Sequence, residues 1–482
     1  MEQPTQNAKS ITLTPSQQTA FNKFKEFINS DTKVFILKGY AGTGKTTLIN
    51  SFVKELLSRK EQFVMLASTG RAAKIIRDRT QLDANTIHST IYTFSDLNQD
   101  LDELYKEEDK EPLVDETGQL LLNFEFAEKK DTKYNRFFYL IDEASMVGDL
   151  VDKNPSQAMF GSGRVLNDLL RYDSKGKFIF VGDNCQLPPI NETISPALSP
   201  DYLQSKFNTT SISVELKDIV RQTQTNDIVK AAQKVRTLYE NPPVAKWPKF
   251  PLRGYKDIII VPSQLDLINR YIKDIKTHDY NHATMLCRSN RESIELSNLI
   301  RPSLGLHDPV INVNDLLLVT QNNLLSGLMN GDLVRVTQIN FTKELAGLTF
   351  INVEVEELSS KKRFTQFIIS NILHSNGTNL TQDQQKALYL NYFFRMKNKG
   401  IKQKSIAFRE GMYKDPYLNA LRATFGYAIT CHKSQGGEWT NVYLNIPRNL
   451  SYKASSPQYQ WLYTAMTRAK EKLFVVEEFH LG

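Results

Sequence analysis

Residues 39–47 read GYAGTGKTT. They follow a short apolar run, KVFILKG at 33–39, and open a segment with helical spacing, TTLINSFVKELLSRK at 46–60. No other feature constrains the chain as much. Glycines let backbone N–H groups close on an anion, and the first turn of a helix adds favourable partial charge. G-x4-G-K-T between a strand and a helix is the spacing of a loop that cradles nucleotide phosphates. In that role Lys45 reaches the β and γ phosphates and the Thr46 hydroxyl holds Mg²⁺, with Gly42, Thr43, Gly44 and Thr47 completing the cradle.

The neighbouring segments extend the pattern. Apolar runs at 63–69, 136–143 and 177–183 alternate with helical spacing, GRAAKIIRDR at 70–79 being one example. That alternation predicts a parallel sheet with crossover helices, whose ligands sit at the carboxyl ends of the strands. Those ends carry Gly39, Asp142 and Asp183. Asp142, closing the strand in YLIDEAS, fits a Mg²⁺-holding carboxylate, and Glu143 fits the base that polarises an attacking water. Gln186 in VGDNCQLPPI is uncharged and can hold the water or sense a γ-phosphate. Arg221 in DIVRQ and Arg468 in YTAMTRAKEKL offer planar guanidinium forks suited to phosphate. If they reach it from a second α/β unit, one nucleotide joins two domains.

A chain of 482 residues has room for two to four domains. After His88 the α/β pattern breaks, and residues 111–128 read as a β-hairpin turning near Asp115–Gln119. A second α/β set begins near 212, short strands suggesting a small barrel occupy 311–373, and a basic helical stretch covers 381–412. The α/β pattern returns at 423–436. No run of 18 apolar residues exists, so no membrane span is expected. The polar beginning MEQPTQNAKS lacks a secretory core, which makes the cytoplasm the expected location. Three scattered cysteines exclude a disulfide framework and a CxxC zinc site. The net charge of +7 persists despite an acidic run at 96–116, so the basic excess lies elsewhere and permits nucleic-acid binding.

Taken in order, the segments resemble the motifs of superfamily 1 helicases, specifically the 1B branch that includes the RecD and Dda families, with the phage Dda family the nearest likeness. LTPSQQTAFNKF at 13–24 is similar to the adenine-reading Q motif, with Gln17 at the reading position. GYAGTGKTT, LASTGRAAKII, ANTIHST, IDEAS, GDNCQLPP, ELKDIVRQ, MLCRSNRES, ATFGYAITCHKSQGGEW and LYTAMTRAKEKL match motifs I, Ia, Ib, II, III, IIIa, IV, V and VI. The resemblance implies two RecA-like motor domains. Residues 1–210 form domain 1A, with a wedge hairpin (1B) inserted at about 91–135. Residues 211–310 and 413–482 form domain 2A, and 311–412 form an inserted 2B domain, an SH3-like barrel with a helical extension.

It also implies ATP and Mg²⁺, 5′ to 3′ movement on single-stranded DNA, and action at ss/ds junctions as a monomer. Single-strand-binding, replication or repair proteins are its natural partners, with no membrane. Ser68, Thr69, Arg71, Thr86, His88, Thr430, His432, Lys433 and Ser434 become candidates for DNA contact. Gln435 and Glu438 are placed facing the nucleotide. Phe124 and Phe126, at i and i+2 on one strand face, become candidate wedge residues. Val220 replaces the aromatic that precedes the motif IIIa arginine in the 1A branch, which shifts base recognition toward Gln17 and allows nucleotides other than ATP. A second reading is a nucleic-acid-stimulated ATPase that remodels protein–DNA or RNA complexes without useful unwinding.

Overall fold

The computed structural model describes residues 13–97, 101, 122–127, 136–151, 158–218, 226–447, 450 and 454–482. The first sheet is built from β1 (Val34–Gly39), β2 (Gln62–Ala67), β3 (Ala84–Thr86), β6 (Phe137–Asp142), β8 (Lys177–Gly182) and β9 (Ser211–Leu216). Their order is β3-β2-β6-β8-β1-β9, and every pairing is parallel. The strands are apolar on both sides because helices cover both faces. Phe35 and Leu37 join a core with Phe24 and Phe52, whose rings stack at 3.9 Å. Val34 and Ile36 join the opposite core with Tyr139, Phe178 and Leu203.

β9 corrects one boundary. Residues 211–216 pair along the whole length of β1, so the first sheet runs past residue 210. The second sheet, also parallel, contains β10 (Ile258–Val261), β11 (Ala283–Cys287), β17 (Ala428–Thr430), β18 (Trp439–Leu444) and β19 (Ala469–Val476), in the order β10-β19-β18-β11-β17. Two RecA-like parallel sheets are therefore present.

The expected short strands are β12 (Leu316–Val319), β13 (Leu333–Leu345), β14 (Leu348–Glu357) and β15 (Arg363–Ile369), all antiparallel. A fifth strand comes from outside the expected range. β16 (Ala423–Phe425) pairs with β12, whereas β17, two residues later, belongs to the second parallel sheet. The boundary at 413 thus moves to the turn at Gly426–Tyr427. Leu421, just before β16, exchanges backbone hydrogen bonds with Phe367 and Ile369, which brings the two edges of this sheet together. Its core is continuous with one face of the second parallel sheet. The basic stretch folds as helices Gln382–Asn398 and Ile406–Lys414.

The inserted region after His88 contains β4 (Tyr92–Leu97), β5 (Leu122–Phe126) and β7 (Ala158–Phe160). β5 pairs antiparallel with β4 and parallel with β7. The turn expected at Asp115–Gln119 lies outside the described residues. Phe124 stacks on Phe160 at 4.6 Å and packs against the first-domain core, while Phe126 stacks on Tyr92 at 6.1 Å and stays 41% exposed. Phe94 meets Tyr413 at 5.8 Å, so this small sheet is held between the first domain and the helical extension. Among the described residues no helix is long and apolar enough to cross a membrane. All three cysteines are free and buried, and burial pushes the Cys431 thiol up to about 12.

Candidate nucleotide site between two parallel-sheet domains

The P-loop leaves β1 and enters the helix Lys45–Ser58. Gly42 and Gly44 have φ of 83° and 79°, a left-handed region that favours glycine. At Gly39 a Cβ would lie 2.7 Å from Thr43 Oγ1, so only glycine fits. Lys45 Nζ donates to the carbonyls of Gly39 at 2.7 Å and Tyr40 at 3.1 Å, which folds its ammonium over the loop. Thr46 Oγ1 accepts from Arg79 Nη1 at 3.1 Å, and Arg79 also reaches Glu438 at 3.8 Å.

Asp142 and Glu143 stand at the end of β6. Desolvation, then the adjacent Glu143 charge, pushes the Asp142 carboxyl up to about 6, against opposing pulls that include Lys45 and Arg79. Glu143 is itself left-handed, φ 50°, an uncommon conformation for a side-chain-bearing residue. Its carbonyl accepts from Ser68 Oγ at 3.1 Å, which holds the turn. Gln186 is buried, and its Oε1 has no partner among the described residues although it lines the cleft. An orphaned oxygen here is ready for a water or a ligand proton.

The opposite wall comes from the second domain. Arg468 is buried and donates to the Thr464 carbonyl at 3.1 Å, the Gly437 carbonyl at 3.3 Å and Thr467 Oγ1 at 3.2 Å. Those bonds fix its guanidinium at the cleft wall with Glu438, Gly436 and Thr467. The cleft, about 320 Å³, is thus bounded by both domains.

The helix Ser456–Met466 bridges the domains behind it. Tyr463 Oη donates to Asp183 Oδ2 at 2.8 Å and accepts from the Ala41 amide at 3.1 Å. Thr464 Oγ1 accepts from the Leu187 amide at 2.9 Å, and Gln460 Nε2 donates to the Gln186 carbonyl at 2.9 Å. Gln435 Nε2 donates to the Leu187 carbonyl at 3.2 Å, so Gln435 grips the loop 183–187 instead of lining the cleft. Sequence reasoning missed Arg79, Gln460, Tyr463 and Thr464.

Gln17 and Arg71 are both held by contacts within the protein. Gln17 is 1% exposed and both ends of its amide are engaged: Oε1 accepts from the Thr14 amide at 3.0 Å and Nε2 donates to the Thr43 carbonyl at 3.0 Å. It completes a capping box and braces the P-loop from beneath. Arg71 was expected on a DNA surface. It is half-buried as a residue but its guanidinium is covered, 4.4 Å above the Trp439 ring, and burial lowers its pKa to about 10. The aromatic face at the domain seam holds the cation inward. Gly437 makes room, since a Cβ there would lie 2.6 Å from the Arg71 guanidinium. Arg221 and Val220 lie outside the described residues.

The remaining DNA candidates divide by exposure. Thr86 and Ser434 are buried, the first capping a helix through the Ser89 amide and the second bonded to the Cys431 carbonyl at 2.7 Å. Thr430 is buried, and its hydroxyl accepts from the Lys433 amide at 3.4 Å. Thr69 caps the helix Gly70–Thr80. His88 is half-buried edge-on to Phe160, and burial lowers its pKa. Ser68, Thr69, His432 and Lys433 keep partial exposure. The loop 320–331 joins motifs Ia and V, with Met329 seated on Gly70 and Gly331 beside the Lys433 carbonyl.

These features define a P-loop nucleotide-hydrolase fold with a nucleotide cleft between two RecA-like domains. Residues 12–240 match the family described as AAA domain, and residues 425–476 match the UvrD-like helicase C-terminal domain. The first match spans the sheet that carries the P-loop, and the second spans β17, β18 and β19 of the other parallel sheet. It is 24% identical over 525 residues to an uncharacterized protein of Acanthamoeba polyphaga mimivirus, covering 96% of this chain and 99% of that one. It is 23% identical over 505 residues to an uncharacterized protein of Methanocaldococcus jannaschii, covering 93% of this chain and 37% of that longer one. Similar solved structures include a Bacteroides Pif1 helicase in complex with ADP-AlF3 and ssDNA, at 16% identity and TM-score 0.48, covering 98% of this chain and 93% of that one. A Candida albicans Pif1 helicase aligns at 15% identity and TM-score 0.41, covering 98% and 96%.

Proposed function

We propose that this chain is an ATP-driven DNA helicase that moves 5′ to 3′ on single-stranded DNA and opens duplex ahead of it. The observation that carries the reading is the shared cleft: Lys45 and Glu143 on one wall face Arg468 on the other. A group bound there contacts both domains, so its hydrolysis changes how tightly they close. The 5′ to 3′ direction and the single-stranded DNA track rest on the resemblance of the motifs to the 1B branch alone.

Residue chemistry supports hydrolysis. Lys45 exchanges its loop carbonyls for phosphate oxygens. Glu143 takes a proton from the attacking water, and the Gln186 amide orients that water. Arg468 meets the charge that develops on the transferred phosphoryl group. The half-buried acidic pair and the Thr46 hydroxyl suit a hard divalent cation, which Asp142 and Thr46 would hold. When bound, Mg²⁺ supplies neutralising charge to the phosphates. Loss of the γ-phosphate is felt at Gln186, whose backbone is bonded to the helix carrying Gln460, Tyr463 and Thr464.

DNA is proposed to lie over the motif Ia–motif V face, against Thr69, His432 and Lys433. The exposed Phe126 ends the central strand of the inserted sheet that would part the strands. Strand separation measured on duplexes with 5′ or 3′ tails, with Lys45→Ala as control, tests the proposal. Unwinding of the 5′-tailed substrate alone, abolished by Lys45→Ala, is expected. ATPase stimulation by DNA or RNA without strand separation would instead favour the remodelling ATPase.

A further inference from the structure

We propose that Asp274, His278 and His282 form a binding site for a zinc-class transition-metal ion on the second parallel-sheet domain, just ahead of the MLCRSNRES segment at 285–293. Asp274 lies in the last turn of the helix Gln264–Thr277, His278 caps that helix, and His282 ends the loop into β11. Among the described residues, this is the one group of three or more His, Cys, Asp or Glu side chains with ligand spacing.

Three observations point to a ligand. First, His278 Nε2 and His282 Nε2 lie 3.8 Å and 3.5 Å from the same oxygen, Asp274 Oδ1. Zinc bonds of 2.0–2.2 Å in a tetrahedron put neighbouring ligand atoms about 3.4 Å apart, so small side-chain rotations complete the geometry. Second, the carboxylate is aimed. Its Oδ2 accepts from Asn441 Nδ2 at 2.6 Å and Tyr443 Oη at 3.0 Å, leaving Oδ1 to the imidazoles. Outer hydrogen bonds of this kind orient metal ligands. Third, Asn441 Nδ2 lies 3.3 Å from His282 Nε2. The side chain that aims the Asp274 carboxylate therefore also stands against this imidazole, and a small rotation of the ring turns Nε2 from the amide toward an ion.

The two imidazole rings stack at 4.1 Å between centroids. The loop is fixed by Asp279, whose Oδ1 accepts from the amides of Asn281 and His282 at 2.9 and 3.0 Å. His278 is half exposed, which leaves entry and open positions for water. Two nitrogens and one oxygen select Zn²⁺, Co²⁺ or Ni²⁺ over Mg²⁺ or Ca²⁺. The ion would tie the end of this helix to β18 through Asn441 and Tyr443.

The test is calorimetric titration of the chelator-treated full chain with ZnCl₂ and separately with MgCl₂. Metal content is then measured after gel filtration. One equivalent of zinc and a raised unfolding midpoint are expected, with no such response to magnesium. His278→Gln/His282→Gln loses that equivalent while far-UV circular dichroism stays unchanged. Tyr443→Phe keeps the ring and weakens zinc binding about tenfold. Absence of stoichiometric zinc, or equal binding by the double variant, overturns the assignment.

Discussion

Tyr463→Phe removes one oxygen and keeps a ring that is 2% exposed. That oxygen donates to Asp183 at 2.8 Å and accepts from the Ala41 amide at 3.1 Å, so it joins the helix Ser456–Met466 to motif III and to the P-loop together. Asp183 is fully buried. It keeps the Cys185 amide at 2.9 Å but loses its hydroxyl donor. A hydrogen bond to a charged group contributes about 1.5–3 kcal/mol, so the closed arrangement of the two domains loses about that much relative to the open one. The corresponding fall in kcat/KM for ATP, with saturating single-stranded DNA, is roughly 10- to 150-fold. Binding of a fluorescent nucleoside diphosphate to the P-loop should change much less, because Lys45 and the loop amides remain. A steady-state ATPase measurement of wild type and variant at fixed DNA decides the matter. Values within twofold of each other would show that this hydroxyl does not couple the domains.

Three further outcomes are expected. Gly70→Ala puts a Cβ 2.1 Å from Met329 Cβ, separating motif Ia from the loop 320–331. Thermal unfolding should report a loss of about 1–3 kcal/mol, with recovery in the Gly70→Ala/Met329→Gly double variant, which removes the clashing Cβ. Arg71→Gln should lower DNA-stimulated ATPase without changing the slope of log affinity against log salt for single-stranded DNA; a slope reduced by about one would show a phosphate contact after all. Glu143→Gln should cut ATP turnover about 10²- to 10⁴-fold while nucleotide binding, followed by equilibrium fluorescence, persists.

Much of the site was legible because its signals are local. A glycine that must sit at φ 83°, a lysine one residue after the loop and carboxylates at a strand end are all encoded within short windows. The bridging helix also left a mark: Gln460, Thr464, Thr467 and Arg468 recur at helical spacing within a segment buried almost throughout. Polar residues at i, i+4, i+7 and i+8 along an apolar helix and the turn that ends it signal a polar partner across a seam. Arg71 carried no such mark. From sequence it is a basic residue at a helix start, and only the Trp439 ring, supplied 368 positions later, decides which way it turns.

The sequence by itself determined the strand–loop–helix units, their alternation and the residues able to handle a phosphate, since periodicity and backbone freedom are properties of neighbouring residues. Tertiary structure alone decided that Ser211–Leu216 completes the first sheet, that β16 and β17 part into different sheets two residues apart, and that Gln17 supports the P-loop from below. Strand partners and buried polar contacts depend on which distant segments arrive at the same place. Local pattern reports that a strand is buried, but not what it is buried against.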